Sequence, residues 1–120
     1  MRKIVLIAGL ACCASVCLAA GSVPPRLTGQ ELVERYGKAE TDLHTLRDQS
    51  YLDGYLAGAA DAVEGKAWCN TTKVKRGEID SMIVEAVREL GPEAQRSNAA
   101  PLLIAALKRR FPCPTGRNGR

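Results

Sequence analysis

Glu78-Ile79-Asp80-Ser81-Met82-Ile83-Val84-Glu85-Ala86-Val87-Arg88-Glu89-Leu90 is the stretch on which the fold class turns. Ile79, Met82, Ile83, Ala86, Val87 and Leu90 recur at three- and four-residue steps, and Ser81, Glu85, Arg88 and Glu89 fall on the other side. That is the period of an amphipathic helix. Gly91-Pro92 stops it. Upstream, Leu52, Tyr55, Leu56, Ala59, Ala62 and Val63 repeat the same spacing on a longer helix that Asp42 or Thr41 can cap. Gly54, Gly58 and Ala62 form a row of small residues there, which costs helix propensity but lets another helix approach the backbone. Thr28-Gly29-Gln30-Glu31 offers a capping box for a short first helix running to about Tyr36, and Gly37 ends it with a left-handed backbone. Downstream, Glu93 to Asn98 reads as a polar linker, Ser97 or Asn98 as a cap, and Pro101 as the start of a last helix. Leu102 to Leu107 is apolar almost all round and belongs in the middle of a bundle, with Lys108, Arg109 and Arg110 at the carbonyl end that favours cations. No strand-period segment and no internal repeat occur. The sequence therefore predicts an all-α, compact bundle of about four helices.

The segment before this bundle differs in kind. Arg2 and Lys3 precede an uncharged run, Ile4 to Ala20, that ends in the small residues Leu18-Ala19-Ala20-Gly21-Ser22. This is the layout of a signal peptide cut after Ala20 or Gly21, which makes residues 1–20 a leader, 21–114 a helical domain and 115–120 a flexible basic tail. Two other readings are weaker: an uncleaved membrane anchor, and a lipid-attached form, for which Leu10-Ala11-Cys12-Cys13 is a poor motif. Removing Arg2 and Lys3 leaves 15 basic against 13 acidic residues, so the net charge falls from +4 to +2. A strongly basic nucleic-acid binder is thereby disfavoured, and no membrane span is expected after cleavage. With one Phe, one Trp and three Tyr, the core must be aliphatic, and a chain this short needs a covalent staple.

Of the five cysteines, Cys12, Cys13 and Cys17 leave with the leader. Cys69 and Cys113 remain, an even number in an oxidising compartment, and one disulfide between them is the default. Two sulfurs and the single His44 do not complete a tetrahedral zinc site, so neither a metal nor a cofactor is expected. Catalysis is disfavoured as well: the mature chain has one His, no free thiol and no Gly-rich phosphate loop. His44 reads as a surface histidine, and Glu85 and Glu89 as acids on a solvated face. Asp61 falls late in a helix, where negative charge meets the carbonyl end, so it should be compensated by the following loop or a neighbouring helix's start. Trp68 should pack beside Cys69. Lys73, Lys75 and Arg76 make a basic patch in the loop from Gly65 to Arg76, and Asn70-Thr71-Thr72 matches a glycosylation sequon.

Taken together, Leu27-Thr28-Gly29-Gln30-Glu31-Leu32, the helix Gly54-Tyr55-Leu56-Ala57-Gly58-Ala59-Ala60-Asp61-Ala62, a loop cysteine, and Ala105-Ala106-Leu107 leading to Phe111-Pro112-Cys113-Pro114 resemble the Rap1a/Tai family of immunity proteins. The most specific parts are Gly54, Tyr55, Gly58 and Asp61 of the helix and the terminal Phe111-Pro112-Cys113-Pro114. The family commonly has two further cysteines. Here their positions hold Tyr36 and Leu52, which is what deleting one disulfide looks like, and Cys69 and Cys113 fit the pair that stays. The resemblance implies a periplasmic helical protein, often a dimer, that blocks a toxin delivered by a neighbouring cell through type VI secretion, peptidoglycan amidases among the targets.

Such an inhibitor acts by binding and needs a protruding, partly rigid element. Asn70 to Arg76 and Gly91 to Asn98 are the two candidates, with Lys73, Lys75, Arg76, Glu93 and Arg96 as partner contacts and Arg76 and Arg96 leading. A homodimer would use the small-residue row and the Glu78–Leu90 helix, although the same residues serve equally well inside one domain. Two alternatives stand behind this reading: a small periplasmic acid-stress chaperone, for which a single histidine supplies no special trigger, and an orphan immunity protein whose toxin has been lost.

Overall fold

The computed structural model describes residues 27–39 and 41–115. The expected leader, with Cys12, Cys13 and Cys17, and all of the expected tail except Thr115 lie outside them. The described residues form α1 (Gly29–Arg35), α2 (Leu43–Asp61), α3 (Arg76–Arg88), a single turn α4 (Pro92–Gln95) and α5 (Ala99–Arg110), with no strand among them. The fold class is the one the hydrophobic period predicts.

Local chemistry fixes the starts of the helices. At α1 the Thr28 backbone N–H donates to Glu31 Oε2 at 2.8 Å and the Glu31 N–H donates back to Thr28 Oγ1 at 3.2 Å, a complete capping box. At α2, Asp42 Oδ1 accepts from the Thr45 N–H at 2.9 Å, and Thr45 Oγ1 accepts from the Asp42 N–H at 3.2 Å. Asn98 caps α5 by accepting from Ala100 N–H. Gly37, just beyond α1, adopts φ +74°, the left-handed conformation that glycine takes without strain.

The core is aliphatic and continuous. Leu27, Leu32, Leu52, Leu56, Ile83, Val84, Val87, Leu103 and Leu107 are its largest fully buried side chains, with Trp68 and Phe111 closing one end. Helix α5 packs against α1, α2 and α3, while the seven-residue α1 touches all four other helices. Long-range backbone pairing holds α1 in place: Gly29 N–H donates to Ser97 O at 3.0 Å and Ala99 N–H donates to Leu27 O at 2.9 Å. Tyr36 packs partly on the core and shares a 3.3 Å hydrogen bond between its hydroxyl and Ser81 Oγ, while Leu52 is fully buried.

Four sequence expectations need correction. The polar linker Glu93 to Asn98 is partly helical, because Pro92–Gln95 makes a helical turn. Gln95 ties it down, its Nε2 donating to the carbonyls of Val87, Arg88 and Leu90 that end α3. The buried face of α3 is wider than predicted and takes in Asp80 and Val84, while α3 starts at Arg76 rather than Glu78. Leu102–Leu107 is not buried all round: Ala105 is exposed, and only Leu103, Ala106 and Leu107 are fully interior. Finally, Gly54, Gly58 and Ala62 are solvent-exposed, and a Cβ placed on either glycine meets nothing within 4 Å. Among the described residues no helix uses that row for close approach.

Candidate functional site

The loop between α2 and α3 is built around Trp68 and Cys69. Trp68 is buried, its indole N–H donates to Ala60 O at 2.8 Å, and its carbonyl accepts from Gly65 N–H at 2.8 Å. Satisfying the indole nitrogen lets the ring sit in the core without an unpaired donor. Its edge meets the Phe111 ring at 6.0 Å between centroids. Cys69 is joined to Cys113 and its N–H donates to Phe111 O at 2.9 Å, so the loop and the exit of α5 are tied by both a covalent and a hydrogen bond.

From this anchor the chain makes a closed turn. The Asn70 side chain bridges it, Nδ2 donating to Val74 O and Oδ1 accepting from Val74 N–H, each at 2.9 Å. Thr71, Thr72 and Lys73 form its exposed tip, and Lys73 sits at φ +55°, a backbone conformation uncommon for a side-chain-bearing residue. Asn70 therefore fits the sequon pattern but uses its amide inside the turn. Lys75 is the N-cap residue of α3 without a side-chain capping bond, and both it and Arg76 are exposed.

Arg76, the first residue of α3, pairs with Asp61, the last of α2, at 3.2 Å. The compensation expected for Asp61 is thus supplied by a guanidinium at a neighbouring helix's start. Behind this pair lies a cavity of about 120 Å³. Ala60, Trp68, Val74 and Ile79 give it apolar walls, and Asp61, Glu64 and Asp80 give it three carboxylates. Asp80 is 7% exposed, and burial pushes its carboxyl up, against the downward pull of nearby Arg76.

The remaining predicted contacts lie apart from this face. Glu93 and Arg96 pair with each other across the α4 turn at 3.0 Å, largely in solvent. Of the helix-motif residues, Tyr55 is half-buried and its hydroxyl donates to Asn98 Oδ1 at 3.1 Å, whereas Gly54 and Gly58 face solvent. Phe111 is buried and Pro112 exposed beside the disulfide. A second, open groove of about 750 Å³ runs between α3 and α5, lined by Met82, Ile83, Ala86 and Ala106 and by the charged Glu85, Glu89, Arg109 and Arg110. Sequence reasoning missed Asp80. Its spacing to Val84 and Val87, four and seven residues on, was the available signal, since it puts the three on one helical strip.

The described residues thus form a small all-α domain stapled by one disulfide, with a braced turn next to a compact pocket. The sequence model of the Rap1a immunity proteins matches residues 28–113, and the chain belongs to this family. Membership implies a type VI secretion immunity protein that binds a cognate toxin, and the family is generally non-catalytic. No curated protein matches the chain. Among the described residues, no helix is long and apolar enough to cross a membrane, and no cluster of side chains could hold a metal ion.

Proposed function

We propose that the protein acts in the periplasm, after removal of a leader ending at residue 20 or 21, and there occludes a type VI secretion toxin that hydrolyses the cell wall. The family match over residues 28–113 carries this reading. The turn Asn70–Arg76 is the element we assign to the toxin. Asn70 and the neighbouring disulfide brace it, which lowers the ordering cost of binding, and it carries Lys73, Lys75 and Arg76 at its exposed end. Gly91–Asn98 stands second, because Gln95 draws it onto α3.

The proposal includes a homodimer. Among the described residues nothing lies within 4 Å of a Cβ placed on Gly54 or Gly58, so this exposed row is open to a helix of a second copy.

A contact-dependent competition on a solid surface tests immunity. A strain lacking the protein should die beside its secretion-competent parent, survive beside a secretion-deficient one, and be rescued by periplasmic but not cytoplasmic expression. Equal survival while the secretion system fires would overturn the reading and shift weight to an orphan immunity protein.

A further inference from the structure

We propose that the pocket behind the Asp61–Arg76 pair receives a basic side chain, arginine or lysine, from the toxin, with Asp80 as its counter-charge. This rests on the immunity reading for the identity of the partner, whereas the pocket's preference for a cation follows from the residues themselves. Asp80 is more than nine-tenths buried, and among the described residues no side chain or backbone group donates a hydrogen bond to its carboxylate. Its oxygens are not sealed off, because no side-chain oxygen or nitrogen among the described residues is both fully buried and unbonded. Asp80 is one of the residues that line the pocket.

A carboxylate removed from water without a donor is costly, and a cation placed against it offsets that cost. The chain's own candidate lies near but makes no hydrogen bond to it. Arg76 hydrogen-bonds to Asp61 at the mouth, where the two side chains are 60% and 64% exposed. Three carboxylates therefore face one guanidinium, leaving the pocket with an excess of negative charge. Its size is selective too: about 120 Å³ corresponds to roughly four waters, enough for the end of one side chain. Trp68, Val74 and Ile79 supply apolar walls that can cover the methylene stem of a basic side chain whose charged head is directed to Asp80. Asn70 and Val74 belong both to the braced turn and to the pocket lining, so a partner lying on the turn reaches the opening without further rearrangement.

Trp68, the single tryptophan, lines the pocket and supplies an unambiguous reporter. The mature protein, labelled with ¹⁵N, is titrated with N-acetylargininamide and, separately, with N-acetylcitrullinamide, which has nearly the same shape but no charge. The arginine probe should shift the Trp68 indole and the Val74 and Ile79 amides saturably. The citrulline probe, and the arginine probe on Asp80→Asn, should bind at least about tenfold more weakly, the loss of one charge-assisted hydrogen bond. Glu85→Gln, on the exposed side of α3, should behave like the parent. Equal responses to both probes, or an unchanged response in Asp80→Asn, would overturn the proposal. A second arm uses the toxin identified by the competition experiment: Asp80→Asn, confirmed as folded by circular dichroism, should lose at least about tenfold in affinity. Undiminished toxin binding by that variant would reduce the pocket to a site for free small cations and overturn its assignment to the toxin, while leaving immunity intact. If the competition shows no immunity, that reading fails by itself and the titration still decides whether the pocket selects a cation.

Discussion

Asp48 and Asp80 differ in what surrounds their carboxylates, and stability should respond to pH with opposite sign at the two residues. Arg35 donates to Asp48 through two nitrogens and holds its carboxyl below the usual carboxylate range. Its contribution is present above the unfolded-state value of about 3.9 and is lost as pH falls through the lower folded value. Asp80 is raised by burial, so its contribution is fully present below about 3.9 and is lost as pH rises through the higher folded value. Replacing Asp80 by Asn removes a charge that folding must desolvate. The variant should match the parent in urea unfolding near pH 4 and exceed it near pH 7. Stability equal to the parent's at both values would show that Arg76 already compensates the buried charge. Only part of this was legible in the chain. Asp61 announced its need for compensation because a helix's carbonyl end is a local feature, whereas the burial of Asp80 depends on how widely α3 is covered by other helices.

At the scale of the element, two glycine positions that look alike in sequence behave differently once the helices are packed. Gly29 opens α1 where Leu27–Gly29 pairs with Ser97–Ala99, and a Cβ there would lie 2.6 Å from Leu102 Cδ1 and 3.1 Å from Gln95 O. The side-chain end can move, but the backbone atom cannot move without disturbing α4. Gly29→Ala should therefore destabilise the domain by about 1–3 kcal/mol in denaturant unfolding. In α2, Gly54→Ala meets open space and gains helix propensity, so it should stabilise the monomer by roughly 0.5–1 kcal/mol. Gly58 is exposed and a Cβ there also meets nothing within 4 Å, so Gly58→Leu should fold normally, yet by light scattering it should shift the proposed dimer toward monomer. A dimer that persists in Gly58→Leu would place the contact elsewhere. Hydrophobic period and capping residues made α1, α2, α3 and α5 readable because those signals lie within a few residues of each other. The role of Gly29 was unreadable because its neighbours lie about seventy positions away in the sequence, and α4 because a single turn carries no period.

For the molecule as a whole, the aliphatic core is small and its two ends are closed by different means. At one end Leu27–Gly29 pairs with Ser97–Ala99, and at the other the Cys69–Cys113 bond joins the α2–α3 loop to the exit of α5. The pairing partners Cys69 and Cys113 stood out once the leader cysteines were set aside, because covalent pairing follows from count and compartment. The loop it anchors, Gly65 to Arg76, was legible from the position of Cys69, whereas the contact of Trp68 with Phe111 beside it appears only in the packing. A separation of 44 residues corresponds to about 4 kcal/mol of stability in a chain-entropy treatment. For a domain of this length each kcal/mol moves the melting temperature by about 4–8 °C, so Cys69→Ser should lower it by more than about 10 °C. Reductant should bring the parent down to the same temperature and leave the variant unmoved. An unchanged melting temperature in Cys69→Ser would show that the Trp68–Phe111 contact and the Cys69–Phe111 backbone bond suffice to hold this end. Because the turn Asn70–Arg76 springs directly from Cys69, amide exchange in Cys69→Ser should rise first at Val74 and Asn70, before the α5 core loosens. The same loosening in a reducing compartment would separate periplasmic from cytoplasmic protein by the order of one turn, which ties the disulfide to the compartment in which the competition experiment expects rescue.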